Sequence, residues 1–166
     1  MPWARNEPQS LEQKVELLRV FRGNFDLGND FAYGVFERDE SRQLGGAGLH
    51  PRGGEGSLEI GYFIRADSVG RGFATEVTAV LTRVGFEKCG LVRVDIQVDP
   101  ANEVSLRIPQ KLGFAQEGVL RRRLEPFEPG GERRDSALFT MLAAELPSSP
   151  CMAYAYRAFD VLGRKL

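Results

Sequence analysis

Two cysteines and one histidine in 166 residues leave several kinds of protein out of reach. Cys89 and Cys151 lie far apart, with neither CxxC spacing nor a histidine pair nearby, so neither a zinc site nor a disulfide framework is expected and both read as free thiols. There is no G-x-S-x-G, and the lone His50 cannot be tied to a serine or cysteine by spacing, which argues against a covalent nucleophile. Neither sign of charge dominates. With a formal net charge of −1 the chain has no general reason to bind nucleic acid, which needs clustered Lys and Arg over a face. The one basic run, Arg121-Arg122-Arg123, reads either as a solvated strand end or as an anion contact. No apolar stretch reaches membrane-spanning length, and MPWARNEPQSLEQKVELLRV is interrupted by charge before any signal-peptide core develops, so a cytoplasmic location is expected.

What is present is an ordinary globular composition, 42% hydrophobic and 27% charged. The length suits one domain, for which roughly 100 to 200 residues is usual. Ser10 and Gln13 form a capping box ahead of Leu11, Val15 and Leu18, predicting a helix over 10–22 that Gly23 stops. FAYGVFE and LGGAGLH flank the turn RDESRQ as an antiparallel hairpin, and SLEIGYFI, Ser57 to Ile64, adds a third strand. Val77, Val80, Leu81, Val84 and Phe86 make a helical stripe ending at Gly90. LVRVDIQV alternates as a half-buried strand; DPANEVSLRIPQKLGF is a short helix containing Pro109 and ended by Gly113. Runs near 114–124 and 135–143 form a hairpin over PFEPGG. PSSP then reads as a linker to an amphipathic C-terminal helix with Tyr156, Phe159 and Leu162, dividing the chain into a domain at 1–146 and a tail at 147–166 that packs on it or on a partner.

The segment VGRGFATEV, Val69 to Val77, sets glycines at a helix start, where unpaired N–H groups and the positive end of the helix dipole accept a phosphate. A nucleoside-triphosphatase loop is excluded, because no lysine follows Gly72. A dinucleotide fingerprint fits badly: Thr75 stands in the third glycine's place, and RADSV separates the loop from the strand. A plain helix cap is the bland alternative.

Gly70-Arg71-Gly72-Phe73-Ala74, with ATE opening the helix, DPAN followed by Ser105, and KLGF at Lys111 to Phe114, resembles the GNAT superfamily of acyl-CoA N-acyltransferases. The branch it is most similar to is that of ribosomal-protein serine and alanine N-acetyltransferases. The motifs cover about 57–124 and the weaker similarity 8–145; Val69 replaces the usual polar first residue of the loop. The resemblance implies an α/β (α+β) fold, with a mixed, mostly antiparallel twisted sheet flanked by helices. Family members carry a strand and a helix ahead of the segment matching MPWARNEPQSLEQ. The first strand and helix are then missing: either the chain is a shortened form, or a partner or the C-terminal helix fills their place, and a homodimer is expected on that ground.

The resemblance further implies acetyl-CoA as cosubstrate, no metal, and direct attack of a primary amine within a ternary complex. LEIGYFI would part from LVRVDIQV, with a bulge at Gly61, to admit pantetheine. The diphosphate would lie on Val69, Gly70, Arg71, Gly72, Phe73, Ala74 and Thr75, with Lys111 neutralising phosphate. Amides at Phe63 and Ile64 would stabilise the oxyanion, and Asn102 would hold pantetheine or simply cap its helix. Ser105 is the implied acid toward the coenzyme A sulfur, with helix capping as its alternative, and Glu59 the implied base, with water-relayed proton loss as the alternative. The family's other carboxylate position falls on Leu124, beside Glu125. His50 is a candidate acceptor-side group. The acceptor would be a peptide N-terminus or a small amine such as a polyamine or aminoglycoside. An acyl-CoA-binding module without turnover is the rival reading.

Overall fold

A computed structural model of the chain describes residues 10–166; MPWARNEPQ lies outside the described residues. Six strands form one sheet: β1 (Phe31–Phe36), β2 (Gln43–His50), β3 (Ser57–Ile64), β4 (Arg93–Val98), β5 (Ala115–Leu124) and β6 (Arg134–Leu142), in the order β1-β2-β3-β4-β6-β5. Only β3 and β4 run parallel; the other neighbours are antiparallel. With helices α1 (Leu11–Asp26), α2 (Phe73–Glu87) and α3 (Glu103–Lys111), this is the mixed, mostly antiparallel α/β sheet expected.

The helix starts follow their caps. At α1 the Ser10 hydroxyl accepts from the Gln13 amide and the Gln13 side chain accepts from the Ser10 amide, as the capping box requires. Gly23 does not end this helix. It continues to Asp26 because Arg22 pairs with Asp26 and the Phe25 ring meets Phe31 and Tyr33 edge-on at 5.5 Å, contacts that outweigh one glycine's propensity cost. The chain turns at Gly28, whose φ of 72° is left-handed.

Side-chain alternation divides the sheet into two faces. On the inner face Ala47, Leu49, Leu58, Ile60, Tyr62, Val94, Ile96, Ala137, Phe139 and Met141 pack with Ala79 and Leu81 of α2 as one core. On the outer face the polar half of β4 is not exposed as simple alternation implies: Asp95 is 4% exposed. Arg121 to Arg123 lie at an irregularity of β5 where the Arg122 amide donates to Asp135 and the Arg133 guanidinium donates to the Arg122 carbonyl.

The expected C-terminal helix does not form. Residues 143–148 and 150–153 make two short 3-10 turns, and the rest is extended up to a turn closed by the Phe159–Lys165 bridge. Pro147 and Pro150 bring no amide donors, and the Asp160 carboxylate accepts from the Leu162 and Arg164 amides, so local turn chemistry overrides helical spacing.

Candidate active site

A 3-10 turn at Ala66–Ser68 delivers the chain to Gly70 and Gly72, with φ of 78° and 89°. Gly72 is the left-handed N-cap of α2, and the first bond of the helix runs from the Glu76 amide to the Gly72 carbonyl. Among the described residues no acceptor meets the amides from Gly70 to Thr75. They form a cluster of donors at the positive end of a 15-residue helix. Arg71 stacks over Phe73 and reaches Glu37 at 3.4 Å, which holds its guanidinium beside the turn.

Next to this turn the sheet opens. β3 and β4 pair at only three rungs, Ser57 with Arg93, Leu58 with Val94 and Glu59 with Asp95; beyond them β4 stays paired to β6 through Val98 and β3 continues to Ile64 on β2 alone. The Gly61 bulge is absent, since the β2–β3 register runs through Gly48 and Gly61 without a shift. Amide directions separate the two expected oxyanion donors, Phe63 and Ile64. The Arg65 amide donates to Leu44 on β2, so by alternation the Phe63 amide faces β2 as well. The Gly56 carbonyl accepts from Val92 on the β4 side, so Leu58, Ile60, Tyr62 and Ile64 share that direction. Tyr62 and Ile64, rather than Phe63, turn their amides into the gap.

Across the gap stands the start of α3. The Asn102 side chain caps it by accepting from the Ser105 amide at 3.1 Å. Ser105 is therefore in the first turn and not the cap itself. Lys111 is exposed in the last turn of α3, nearly two turns from Ser105, with no hydrogen bond or ion pair to the Gly70–Thr75 turn among the described residues. Tyr62 comes up from the core beneath the gap, 8% exposed, and its hydroxyl is the one buried side-chain polar atom without a hydrogen bond among the described residues. Burial pushes the phenol above its ordinary pKa, while the Ser105 hydroxyl close by pulls it down. A buried hydroxyl left unpaired is costly. This one faces the Ser105 hydroxyl at the rim of an open gap.

The outer face at the apex of the gap is a closed polar network. Glu59 accepts from Arg52 at 2.8 Å and from Gln97 at 2.7 Å; Asp95 accepts from Arg93 at 2.7 Å and from Thr140 at 2.8 Å. Ser136 donates to Gln97. Glu59 is 7% exposed, held beneath the 51–56 loop through Arg52, instead of being an open strand glutamate. Among the described residues no set of His, Cys, Asp and Glu could hold a metal ion, and no helix is long and apolar enough to cross a membrane.

A sheet parted beside a glycine-rich helix start is the arrangement implied by the resemblance to acyl-group transferases, and comparison with known proteins agrees. The chain belongs to the acetyltransferase (GNAT) domain family, whose family model matches residues 1–115. It is 33% identical over 115 residues to an uncharacterized N-acetyltransferase, YoaA, of Bacillus subtilis (strain 168), a match covering 69% of this chain and 65% of that protein. Among solved structures it is similar to RimJ of Mycobacterium smegmatis in complex with CoA-disulfide, with 27% identity and a TM-score of 0.76 over 86% of this chain and 67% of that one. It shares its fold with a ribosomal-protein-S5-alanine acetyltransferase of Vibrio fischeri at 20% identity and a TM-score of 0.71, over 81% of this chain and 73% of that one. The chain spans 65% of YoaA and 64% of the Bacillus licheniformis relative p20, a little under two thirds of each.

Of the residues expected from sequence, the 69–75 loop opens α2, Phe63 and Ile64 end β3, Asn102 and Ser105 open α3, Glu59 lies on the outer face at the last β3–β4 rung, and Lys111 lies at the far end of α3. The structure adds Tyr62, Arg52, Gln97 and Asp95. Strand alternation sets Tyr62 on one face with Ile60, opposite Glu59, and a polar tip needing a partner is the signal the sequence offers.

Proposed function

We propose that the chain is an acetyl-CoA-dependent N-acetyltransferase acting on a primary amine, either a peptide N-terminus or a small-molecule amine, by direct attack. The observation that carries this is the row of amides from Gly70 to Thr75, without acceptors, at the mouth of the β3–β4 gap. The cosubstrate supplies an activated acetyl thioester. The residues of the chain do the rest. The loop amides and Arg71 bind the diphosphate, and the Tyr62 and Ile64 amides face the position of the thioester carbonyl, where one such donor is typically worth about 3 kcal/mol. Tyr62 and Ser105 offer hydroxyls toward the sulfur, Ser105 as the proton donor to the departing thiolate. Both Glu59 oxygens are already engaged, and Glu59 contributes the negative charge that an incoming ammonium meets. The outer edge of β1, which pairs with no strand among the described residues, and the exposed apolar residues of α1 support the further proposal of a homodimer.

The test is thiol release from acetyl-CoA against N-terminal peptides, polyamines and aminoglycosides, run beside Gly72→Asp and Ser105→Ala. Release that depends on the acceptor and is lost in Gly72→Asp supports the enzyme. Binding of acetyl-CoA by calorimetry with no release from any acceptor leaves a binding module in its place, and release untouched by Gly72→Asp removes the loop from the account.

A further inference from the structure

His50 lies on the outer face, at the end of β2, with its Nδ1 2.5 Å from the Asp30 Oδ1. Asp30 directly precedes β1, and the same oxygen accepts from the Phe31 amide at 3.0 Å, which fixes the carboxylate against the sheet. The imidazole lies flat on two glycines that are register partners, Gly48 and Gly61. A Cβ at Gly48 would come within 2.7 Å of the His50 Nε2, and one at Gly61 within 3.1 Å, so the ring occupies the room these glycines leave. Gly61 stands two residues past Glu59, on the part of β3 that has left β4. The Nε2 has no hydrogen-bond partner among the described residues, and the His50 side chain is 18% exposed, sheltered but open to solvent.

We propose that His50, oriented by Asp30, is the general base of acetyl transfer. The proposal rests on the acetyltransferase reading above and names the group that takes the acceptor's proton. With Nδ1–H donated to Asp30, the Nε2 lone pair points over Gly61 at the open stretch of β3, and the carboxylate stabilises the imidazolium that forms. Nε2 removes one proton from the acceptor ammonium. The freed lone pair forms the C–N bond as the C–S bond of the thioester breaks. The second amine proton passes to the sulfur, with Ser105 placed to relay it, and the proton on His50 leaves to water. The charged groups around the ring are Asp30 from the start of β1 and Glu59, its cross-strand partner on β3. Glu59 carries Arg52 from the 51–56 loop and is followed on β4 by Asp95 with Arg93.

His50 is the only histidine of the chain, so its ring protons can be titrated by NMR without assignment and compared with the pH profile of kcat/KM. The expected result is an ascending limb whose midpoint matches the imidazole titration. His50→Ala is expected to abolish the limb and lower kcat/KM at least about 100-fold, a usual effect of losing a general base, with partial rescue by added imidazole and acetyl-CoA affinity within about twofold of the parent. Asp30→Asn is expected to lower kcat/KM with acetyl-CoA affinity unchanged, because the ring loses the carboxylate that orients it. A variant that only loosened the sheet would lower activity without moving the limb. The proposal is overturned if the limb persists in His50→Ala, or if it disappears in Glu59→Gln instead. Binding of acetyl-CoA with no transfer by the parent chain would fell the acetyltransferase reading, and this assignment with it.

Discussion

Glu59 and Asp95 are direct partners on the last rung that joins β3 to β4, and each brings its own arginine, Arg52 and Arg93. Two adjacent buried carboxylates are tolerable because each accepts from a guanidinium and a neutral donor. They differ in what holds them. Asp95 is bound by residues of its own and the neighbouring strand, whereas the Arg52 partner of Glu59 sits on a loop with its side chain 53% exposed. Asp95→Asn is therefore expected to destabilise by about 2–3 kcal/mol, through a buried network left with a mismatched donor. Glu59→Gln is expected to cost about 1 kcal/mol, since Arg52 can turn to water and Gln97 keeps an acceptor. Urea denaturation of the two variants ranks them; equal costs would show that the loop side of the network is as firmly built as the strand side.

Gly72 separates backbone strain from charge. A Cβ there meets nothing within 4 Å, but φ is 89°, so Gly72→Ala is expected to lower stability by about 1 kcal/mol through the left-handed conformation alone. Gly72→Asp adds a negative charge beside the donor amides and is expected to weaken coenzyme A binding at least about tenfold, equivalent to ~1.4 kcal/mol, beyond the alanine variant. Calorimetry on both variants reads the difference. Similar affinities would mean that the diphosphate lies elsewhere.

Much of the layout can be read from the sequence because it is written locally. Ser10 with Gln13, Gly72 before an apolar stripe, and Asn102 three residues ahead of Ser105 announce three helix starts, and alternation sorts Glu59 from Ile60 and Tyr62. What escaped depends on partners distant in sequence. The Asp30–His50 contact spans 20 residues and follows from the β1–β2 register, and Glu59 is buried by Arg52 and Gln97, one on a loop and one on another strand. Which β3 amides face the gap also depends on pairing: the Arg65 amide goes to Leu44, so alternation turns Phe63 toward β2 and Ile64 toward the gap. At the C-terminus, helical spacing in Tyr156, Phe159 and Leu162 misled because the Asp160 turn satisfies its own amides.

The two thiols should behave differently. Cys151 is fully buried and Cys89 is exposed just after α2, and burial raises the pKa of both. A disulfide reagent under native conditions is expected to label one thiol per chain, faster as pH rises, and the second only on unfolding. Labelling that persists in folded Cys89→Ser would show that Cys151 is reached by local opening.

No residue of α1 is buried, and Leu11, Leu18 and Leu27 are 74%, 62% and 75% exposed. An apolar helix surface next to a strand edge that is unpaired among the described residues favours self-association, the proposal made above. Sedimentation is expected to show association that depends on concentration, and Leu11→Glu with Leu18→Glu is expected to give a folded monomer. A monomeric parent at high concentration would refute it.

The C-terminal segment is clasped to α2 by three side chains and one carbonyl. Arg83 pairs with Glu87 at 2.8 Å, donates to the Tyr154 carbonyl at 2.7 Å and lies under the Tyr156 ring, while the Tyr156 hydroxyl donates to Glu87 at 2.8 Å. Burial first, then the bond and charge of Glu87, push the Tyr156 phenol up to about 12. An unfolded tyrosine loses its proton near pH 10, so between roughly pH 10 and 12 the unfolded state binds fewer protons than the folded one and stability falls as pH rises. Glu87 works in the opposite direction: Arg83 lowers its pKa, so its contribution is present above the ordinary carboxylate range and is lost as pH falls through the folded value. Tyr156→Phe is expected to cost about 1 kcal/mol at pH 7, the low end for a bond to a charged acceptor because the pair is partly open to water. It should also flatten part of the alkaline loss. Denaturant melts at pH 7 and above pH 10 separate the two effects, and a variant with the parent's alkaline slope would place that loss on Tyr33 and Tyr62, whose phenols burial also raises.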